Sequence, residues 1–240
     1  MDAEKKRKLR IAIDGPAGAG KTTVSKLAAQ RLGLEYVDTG AMYRCVALRA
    51  RRENVDPRDE RRLGAIARTM EFEFRIDEES GVNRVFMDGE DVTEAIRGER
   101  VSSLASAVSA VSAVRRELVA RQKQMAARGG VVMEGRDIGT VVIPYAEVKV
   151  FLDASEQERA RRRHLELLEK DGAAPPLERI LRDIHERDLR DSTREDSPLA
   201  PALDAVRLET DGKSIARVVD EIIEIAASKT GSSARPGHDA

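Results

Sequence analysis

An α/β fold, a parallel sheet wrapped by helices, is what the sequence predicts, and three observations carry that reading. The apolar run Leu9–Asp14 (LRIAID) has the length of a buried strand. A glycine-rich turn follows it, and Thr22–Leu32 then places Val24, Leu27, Ala28 and Leu32 on one helical face. A second short apolar stretch, Leu34–Val37, ends at Asp38 and gives way to helical spacing from Ala41 to about Arg52. Strands that alternate with helices in this rhythm pair in parallel, because each crossover helix carries the chain back to the end of the sheet where the previous strand began.

The remaining elements extend the pattern. Between Met70 and Thr93 the period changes to two: Phe72, Phe74 and Ile76 alternate with charged residues, and Val85, Phe86 and Met87 follow a turn around Ser80–Asn83. This predicts a small antiparallel insertion outside the main sheet. An Ala- and Ser-rich helix is expected over about Arg100–Arg128, ending at Gly129-Gly130. Val131–Met133 and Val148–Leu152 read as two further core strands. Two charged helices, Glu156–Lys170 and about Leu177–Arg190, are separated by the breaker DGAAPP, and Pro198 and Pro201 end the second. Val206–Glu209 reads as a last strand and Ser214–Ala227 as a last amphipathic helix. Residues 9–227 are therefore expected to form one domain without internal repeats, with 1–8 and 228–240 as disordered tails.

Composition narrows the class of partner. The 42 Lys and Arg nearly cancel the 43 Asp and Glu, leaving a formal net charge of −1, so binding of bulk nucleic acid, which needs a basic excess, is not expected. Any small anion must be held by a local cluster of Arg and Lys. Cys45 is the only cysteine, which excludes an intrachain disulfide and suits an inert, packed thiol in a reducing compartment. The basic start, Met1–Arg10, leads into a strand containing Asp14 rather than a long apolar segment, and no run approaches membrane-spanning length. A cytoplasmic protein is expected, and a monomer, since no heptad seam is present. His164, His185 and His238 lack the company of a metal ligand or catalytic base and read as surface residues.

The strongest chemical signal is Gly15-Pro16-Ala17-Gly18-Ala19-Gly20-Lys21-Thr22, which satisfies G-x-x-x-x-G-K-[ST] and lies between a strand and a helix. Its glycines allow several N–H groups to turn toward one anion, and the helix N-terminus adds positive potential. Lys21 can reach the β and γ phosphates of a nucleotide, and Thr22 can offer its hydroxyl to Mg²⁺, with Thr23 beside it. Such a loop is shared by motor ATPases, GTPases and regulatory switches, so the acceptor side has to decide the activity. Two strands end in an acid as a metal-binding strand would, at Glu134 and at Asp153; a strand end capped by a carboxylate is an equal reading of each.

Two stretches at strand ends carry arginine. Asp38-Thr39-Gly40-Ala41-Met42-Tyr43-Arg44 follows the second strand, and Glu134-Gly135-Arg136-Asp137-Ile138-Gly139-Thr140 follows a later one, both where open α/β sheets bind ligands. Together with the GPAGAGK loop, the DTGAMYR and GRDIGT stretches resemble the bacterial cytidylate kinase family, from about Ile11 to Ile225 and including the β-rich insertion. The resemblance implies a P-loop parallel sheet flanked by helices, with a nucleoside-monophosphate-binding insertion at about 62–112 and a helical lid at about 155–176. It implies transfer of a phosphoryl group from ATP, with Mg²⁺, to CMP or dCMP. Other small-molecule kinases with the same loop, for UMP/CMP, shikimate or dephospho-coenzyme A, are the nearest rivals; a regulatory ATP-binding switch is a more distant one.

Carried over by motif, the resemblance implies that Thr39, Arg44 and Arg136 grip the acceptor phosphate, with Asp38 beside them, and that Ser106, Arg115 and Asp137 read the cytosine edge. Cytosine offers an N4 amino donor where uracil offers an O4 acceptor, so a carboxylate such as Asp137 favours CMP over UMP. Ser106 lies in SSLASAVSAVSA, where neighbouring serines could take its role and where a small-residue packing face is an equal reading. In ERDLRDSTR the resemblance assigns Arg187 and Asp191 to ribose or phosphate and Arg194 to phosphate; spacing alone describes them as a charged helical face. Arg162 and Arg163 are the lid residues expected at the ATP phosphates. Glu134 departs from the commoner Asp before GRD, and its role stays open.

Overall fold

The computed structural model describes residues 9–77 and 81–230. The expected N-terminal tail, His238 and the first residue of the turn at Ser80–Asn83 lie outside them. The chain divides into two compact units, one formed by the chain up to Tyr36 and from Ala126 onward, the other by Val37–Met125.

The first unit is the expected parallel sheet. Strands β1 (Arg10–Asp14), β2 (Glu35–Asp38), β6 (Val131–Gly135), β7 (Val148–Asp153) and β8 (Val206–Glu209) lie in the order β2-β6-β1-β7-β8. The pairs β1 with β6, β1 with β7, and β7 with β8 are all parallel. Parallel strands are covered on both faces, and β1 and β6 accordingly bury nearly every residue. Helices α1 (Lys21–Leu32) and α8 (Ile215–Thr230) pack on one another and on the sheet, where Ile11, Ile13, Val24, Ala28, Val150, Val219 and Ile222 share one apolar core. Helix α8 continues through Ser228 to Thr230, beyond the expected end at Ala227 and into the stretch expected as tail; the Ser228 and Thr230 hydroxyls donate to the Ile225 and Ala226 carbonyls of the preceding turn.

The order of strands creates the functional edge. From β1 the chain crosses by α1 to β2 on one flank, and the later strands place β6 on that side of β1 and β7 on the other. The carboxyl ends of β1, β6 and β7 are thereby neighbours, at the reversal of strand order where such sheets form a ligand crevice. After β7, helices α6 (Glu156–Asp171) and α7 (Leu177–Thr193) form a hairpin around Ala160, Ile180 and Ile184. Ser155 caps α6 by accepting from Glu158 N–H, and Gly172 closes it with φ of 69°, a left-handed angle that glycine adopts without strain.

The second unit is built around α2 (Thr39–Arg52), whose Met42, Cys45, Val46 and Ala50 are all inaccessible to solvent. The antiparallel insertion is present as β3 (Phe72–Ile76), β4 (Asn83–Met87) and β5 (Glu90–Asp91). Helix α3 (Glu60–Thr69), which the apolar pattern alone did not disclose, starts at Asp59, whose carboxylate accepts from Arg62 N–H at 3.0 Å. The single helix expected over about Arg100–Arg128 is instead two, α4 (Glu99–Val108) and α5 (Ser112–Ala127). No Gly or Pro marks the break. Ala110 N–H and Val111 N–H turn to carbonyls three residues back, and the Ser109 hydroxyl takes the Ser106 carbonyl, a local competition that serine offers and a sequence pattern does not reveal. Gly64 lets α3 and α5 approach closely, since a Cβ there would lie 2.8 Å from Ala113 Cβ.

Cys45 is buried, and burial pushes its thiol up to about 12, in keeping with an inert packed cysteine. Leu63 is fully buried in the same core, so Leu63→Ala is expected to cost about 2–5 kcal/mol, read from urea unfolding curves.

Candidate active site

The phosphate loop has the backbone its glycines permit. Gly15, Gly18 and Gly20 have φ of 149°, 79° and 87°. At Gly15 an added Cβ would lie 2.1 Å from the Leu152 carbonyl oxygen, so the end of β7 itself requires glycine there. Gly20 precedes Lys21, the first residue of α1, whose N-terminal amides face the loop. Pro16, Ala17 and Ala19 complete the turn, with Ala19 packed in the core, while Thr22 and Thr23 stand exposed on the first turn of α1.

Lys21 is only 7% exposed and donates from Nζ to the Pro16 carbonyl at 2.6 Å. Burial lowers its pKa well below the lysine norm, the Arg136 guanidinium lowers it further, and Glu134 pulls it back up. Arg187 and Asp14 act on it as well, in opposite senses. Lys21, Arg136, Arg187, Glu134 and Asp14 therefore form one electrostatic cluster at the ends of β1 and β6. Glu134 is 3% exposed and accepts from the Tyr36 hydroxyl on β2, while Asp153 accepts from the next backbone amide, Ala154 N–H at 3.0 Å. Of the two strand-end acids, Glu134 is the one beside the loop lysine.

The residues of the first unit that were expected at the acceptor are linked to one another. Arg136 donates to Asp191 on α7 at 2.9 Å. Burial works to raise the Asp191 carboxyl, but Arg136, Arg187 and Arg194 together hold it below the usual carboxylate range. Arg194, just beyond α7, donates to the Ser197 carbonyl at 2.7 Å and to Asp137 at 3.3 Å. The DSTR and GRD stretches, about sixty residues apart in sequence, are thus brought together as alternating acids and arginines, where spacing alone described a solvated helix face.

In the second unit Asp38 caps α2 by accepting from Ala41 N–H at 2.9 Å, and its other oxygen takes Arg44 at 2.6 Å. Thr39 is buried next to it. Ser106 and Arg115 are both buried; Arg115 donates to the Ser109 carbonyl at 3.2 Å, across the α4–α5 break, and lies over the Tyr43 ring. The break between the helices thus turns Ser109 toward the arginine.

The two arginines of α6 expected at the ATP phosphates differ. Arg162 donates to Glu158 and, with both terminal nitrogens, to the side chain and carbonyl of Thr210 at 3.0 and 2.8 Å; it also lies 3.8 Å from the position a Gly20 Cβ would take. Arg163 forms an ion pair with Glu166 instead. The more important arginine of this helix is one whose role its sequence did not distinguish. Arg159 is 4% exposed and donates to the carbonyls of Ala154 and Ala17, the latter in the phosphate loop, both at 3.0 Å. It pairs with Asp188 on α7 at 2.6 Å. Arginines stand at 159, 161, 162 and 163, and nothing in the sequence marks which one turns inward. Asp14 was also not foreseen as a site residue: it accepts from Ile138 N–H at 2.8 Å and Gly139 N–H at 2.7 Å. An acid closing an otherwise apolar buried strand needs such partners, and that signal was available.

A parallel sheet with a glycine-rich loop after its first strand, and arginines gathered beside the loop lysine, defines the P-loop kinases. The comparison with known proteins narrows this. Residues 11–228 match the family model described as cytidylate kinase. The chain is 48% identical to the cytidylate kinase of Solibacter usitatus (strain Ellin6076), over 95% of this chain and 97% of that one. It is 50% identical to the cytidylate kinase of Desulfitobacterium hafniense (strain Y51), over 93% and 95% of the two chains. With that of Pelotomaculum thermopropionicum it shares 51% identity over 89% and 93%. The chain belongs to the cytidylate kinase family and is an ATP-dependent nucleoside monophosphate kinase. Among the described residues no helix is long and apolar enough to cross a membrane.

Two expected outcomes follow from the buried charges. Burial raises the Asp14 carboxyl from 3.8 to about 6, against the two amides that lower it, with Asp137 adding to the rise and Lys21 opposing it. A raised folded-state value means that folding takes up a proton between those two values. The contribution is complete below about pH 4 and fades as pH climbs through about 6, a fall of about 3 kcal/mol that Asp14→Asn should remove from a plot of unfolding free energy against pH. Replacing Arg159 with Met leaves Asp188 without its cation and should cost about 3–5 kcal/mol in thermal or urea unfolding.

Proposed function

We propose that the chain transfers the γ-phosphoryl group of ATP to the phosphate of CMP or dCMP, giving CDP or dCDP and ADP. The observation that carries this reading is the charge array at the strand ends, in which Asp191 and Asp137 hold Arg136 and Arg194 while Lys21 lies buried against the phosphate loop, its charge opposed by that of Arg136. One cation belongs to the donor loop and the others to the acceptor motifs, so charge on a group passing between donor and acceptor is opposed along its path.

Phosphoryl transfer needs in-line placement and charge neutralisation rather than covalent chemistry by the protein. The backbone N–H groups of Ala17 to Thr22 cradle the donor phosphates, with Lys21 at the β and γ positions. Arg162, 3.8 Å from the Gly20 Cβ position, is placed to add positive charge at the same loop, while Arg163 would have to leave Glu166 to join it. In the first unit Arg136 and Arg194 hold the acceptor phosphate, Asp137 reads the base, and Arg187 and Asp191 address the ribose or phosphate. In the second unit Arg44, oriented by Asp38, and Thr39 are phosphate-binding residues, and Ser106 and Arg115 are base-reading ones. The acceptor phosphate is already ionised, so no general base is required.

The donor set fits Mg²⁺. Thr22 presents an exposed hydroxyl on the first turn of α1, and Glu134 places a carboxylate beside Lys21; both are the hard oxygen donors this ion takes, usually one or two from protein and the rest from phosphates and water. When bound, it neutralises charge on the β and γ phosphate oxygens.

ADP release measured with CMP, dCMP, UMP, shikimate and dephospho-coenzyme A tests the reading. Turnover with CMP and dCMP is expected. ATP hydrolysis that ignores every acceptor would mark a regulatory switch and refute it. Lys21→Ala should lower kcat by about 10²–10³-fold or more, and Asp137→Ala should erode the CMP-over-UMP preference in kcat/KM.

A further inference from the structure

Asp14 is the last residue of β1, immediately before the phosphate loop, and 4% exposed. It lies outside every motif used above. Each of its oxygens receives one backbone amide, Ile138 N–H on Oδ1 and Gly139 N–H on Oδ2, from residues more than a hundred positions away in the chain. Those two amides open the single π-helical turn Ile138–Val142, directly after Arg136 and Asp137. Asp137, the residue before the turn, makes no side-chain cap bond to it, and its carboxylate accepts from Arg194. Gly139 completes the fit, since a Cβ there would lie 3.4 Å from Asp14 Oδ2 and 3.3 Å from the Lys149 side chain.

We propose that Asp14 is a positioning residue for the acceptor site, its carboxylate clamping the turn after β6 so that Arg136 and Asp137 are presented in a fixed orientation. This rests on the assignment of Arg136 and Asp137 to the acceptor nucleotide. A charged acceptor holding two amides in a dry site is worth more than a neutral one, and the pair of bonds leaves the turn one orientation. The carboxylate replaces the water that those amides would otherwise bind. Because Asp14 is also the residue from which the phosphate loop departs, one side chain joins the root of the donor loop to the turn that carries the acceptor residues. Its hydrogen bonds run to the acceptor turn, whereas its tie to the donor side is a charge facing Lys21 without a hydrogen bond, so the acceptor side depends on it more.

Asp14→Asn is nearly isosteric but can accept only one of the two amides, and its own NH₂ faces the other. The expected result is a rise of about tenfold or more in KM for CMP and a distinctly smaller one in KM for ATP, the latter from the negative charge lost beside Lys21. Hydrogen exchange followed by NMR should show the Ile138 and Gly139 amides protected in the wild-type protein and released in the variant, with the amides of α1 unchanged. Equal increases in both KM values, or an acceptor KM that does not move, overturn the proposal. Should the variant fail to fold, the wild-type exchange rates decide: protection of both amides upholds the clamp, and exchange at the rate of an open loop overturns it. A wild-type protein that phosphorylates neither CMP nor dCMP would instead defeat the functional assignment, an outcome read before any variant is made.

Discussion

Lys21 is a cation held almost out of water between arginines and acids, and the rest of the first unit is arranged so that this is tolerable. A lone buried ammonium would lose its proton; burial and Arg136 both push in that direction. Glu134 and Asp14 pull the other way, and each is fixed in turn, Glu134 by the Tyr36 hydroxyl and Asp14 by two amides. Arg136 is balanced by Asp191, and Arg194 by Asp137. The charges at the strand ends therefore form a linked array in which like charges are forced together and kept there by interleaved acids. Such an array suits an enzyme that must hold two polyanions close to one another, since their phosphates can be met by cations already in place and little reorganisation is needed at the moment of transfer.

The backbone supplies the other half of this economy. Where β7 ends, the Leu152 carbonyl comes so near Gly15 that no side chain could stand between them, and Arg159 ties the loop to α6 through the Ala17 carbonyl while holding Asp188 on α7. The first turns of α6 are thereby fastened to the phosphate loop. Its later turns carry Arg163 in a solvent-facing pair with Glu166 and lead to the Gly172 break, so any freedom of this hairpin lies toward its far end.

Much of this was legible along the chain. The parallel sheet was readable because its strands are short, nearly all apolar and separated by helices of clear period, and the phosphate loop because glycines and a lysine in fixed order leave few other geometries. The antiparallel insertion declared itself through the alternation of Phe72, Phe74 and Ile76. Local competition was harder to see: the break at Ser109–Val111 has no Gly or Pro, and α3 is a ten-residue helix whose buried positions are only Leu63, Gly64 and Ala67.

What the sequence determined by itself was the inventory and its local geometry: a strand, a glycine-rich loop of the kind that binds phosphate, a helix, and short motifs at strand ends that carry arginines and acids. Tertiary structure alone decided which charges meet. Arg136 finds Asp191, Asp137 finds Arg194, and Asp14 finds the amides of Ile138 and Gly139, all across more than fifty residues of chain. Among four arginines of similar context only Arg159 turned inward. The physical reason is that a charge carries no period: its value depends on burial and on the partner a few ångströms away, and both are set by how the strands are ordered in the sheet rather than by neighbours in the chain.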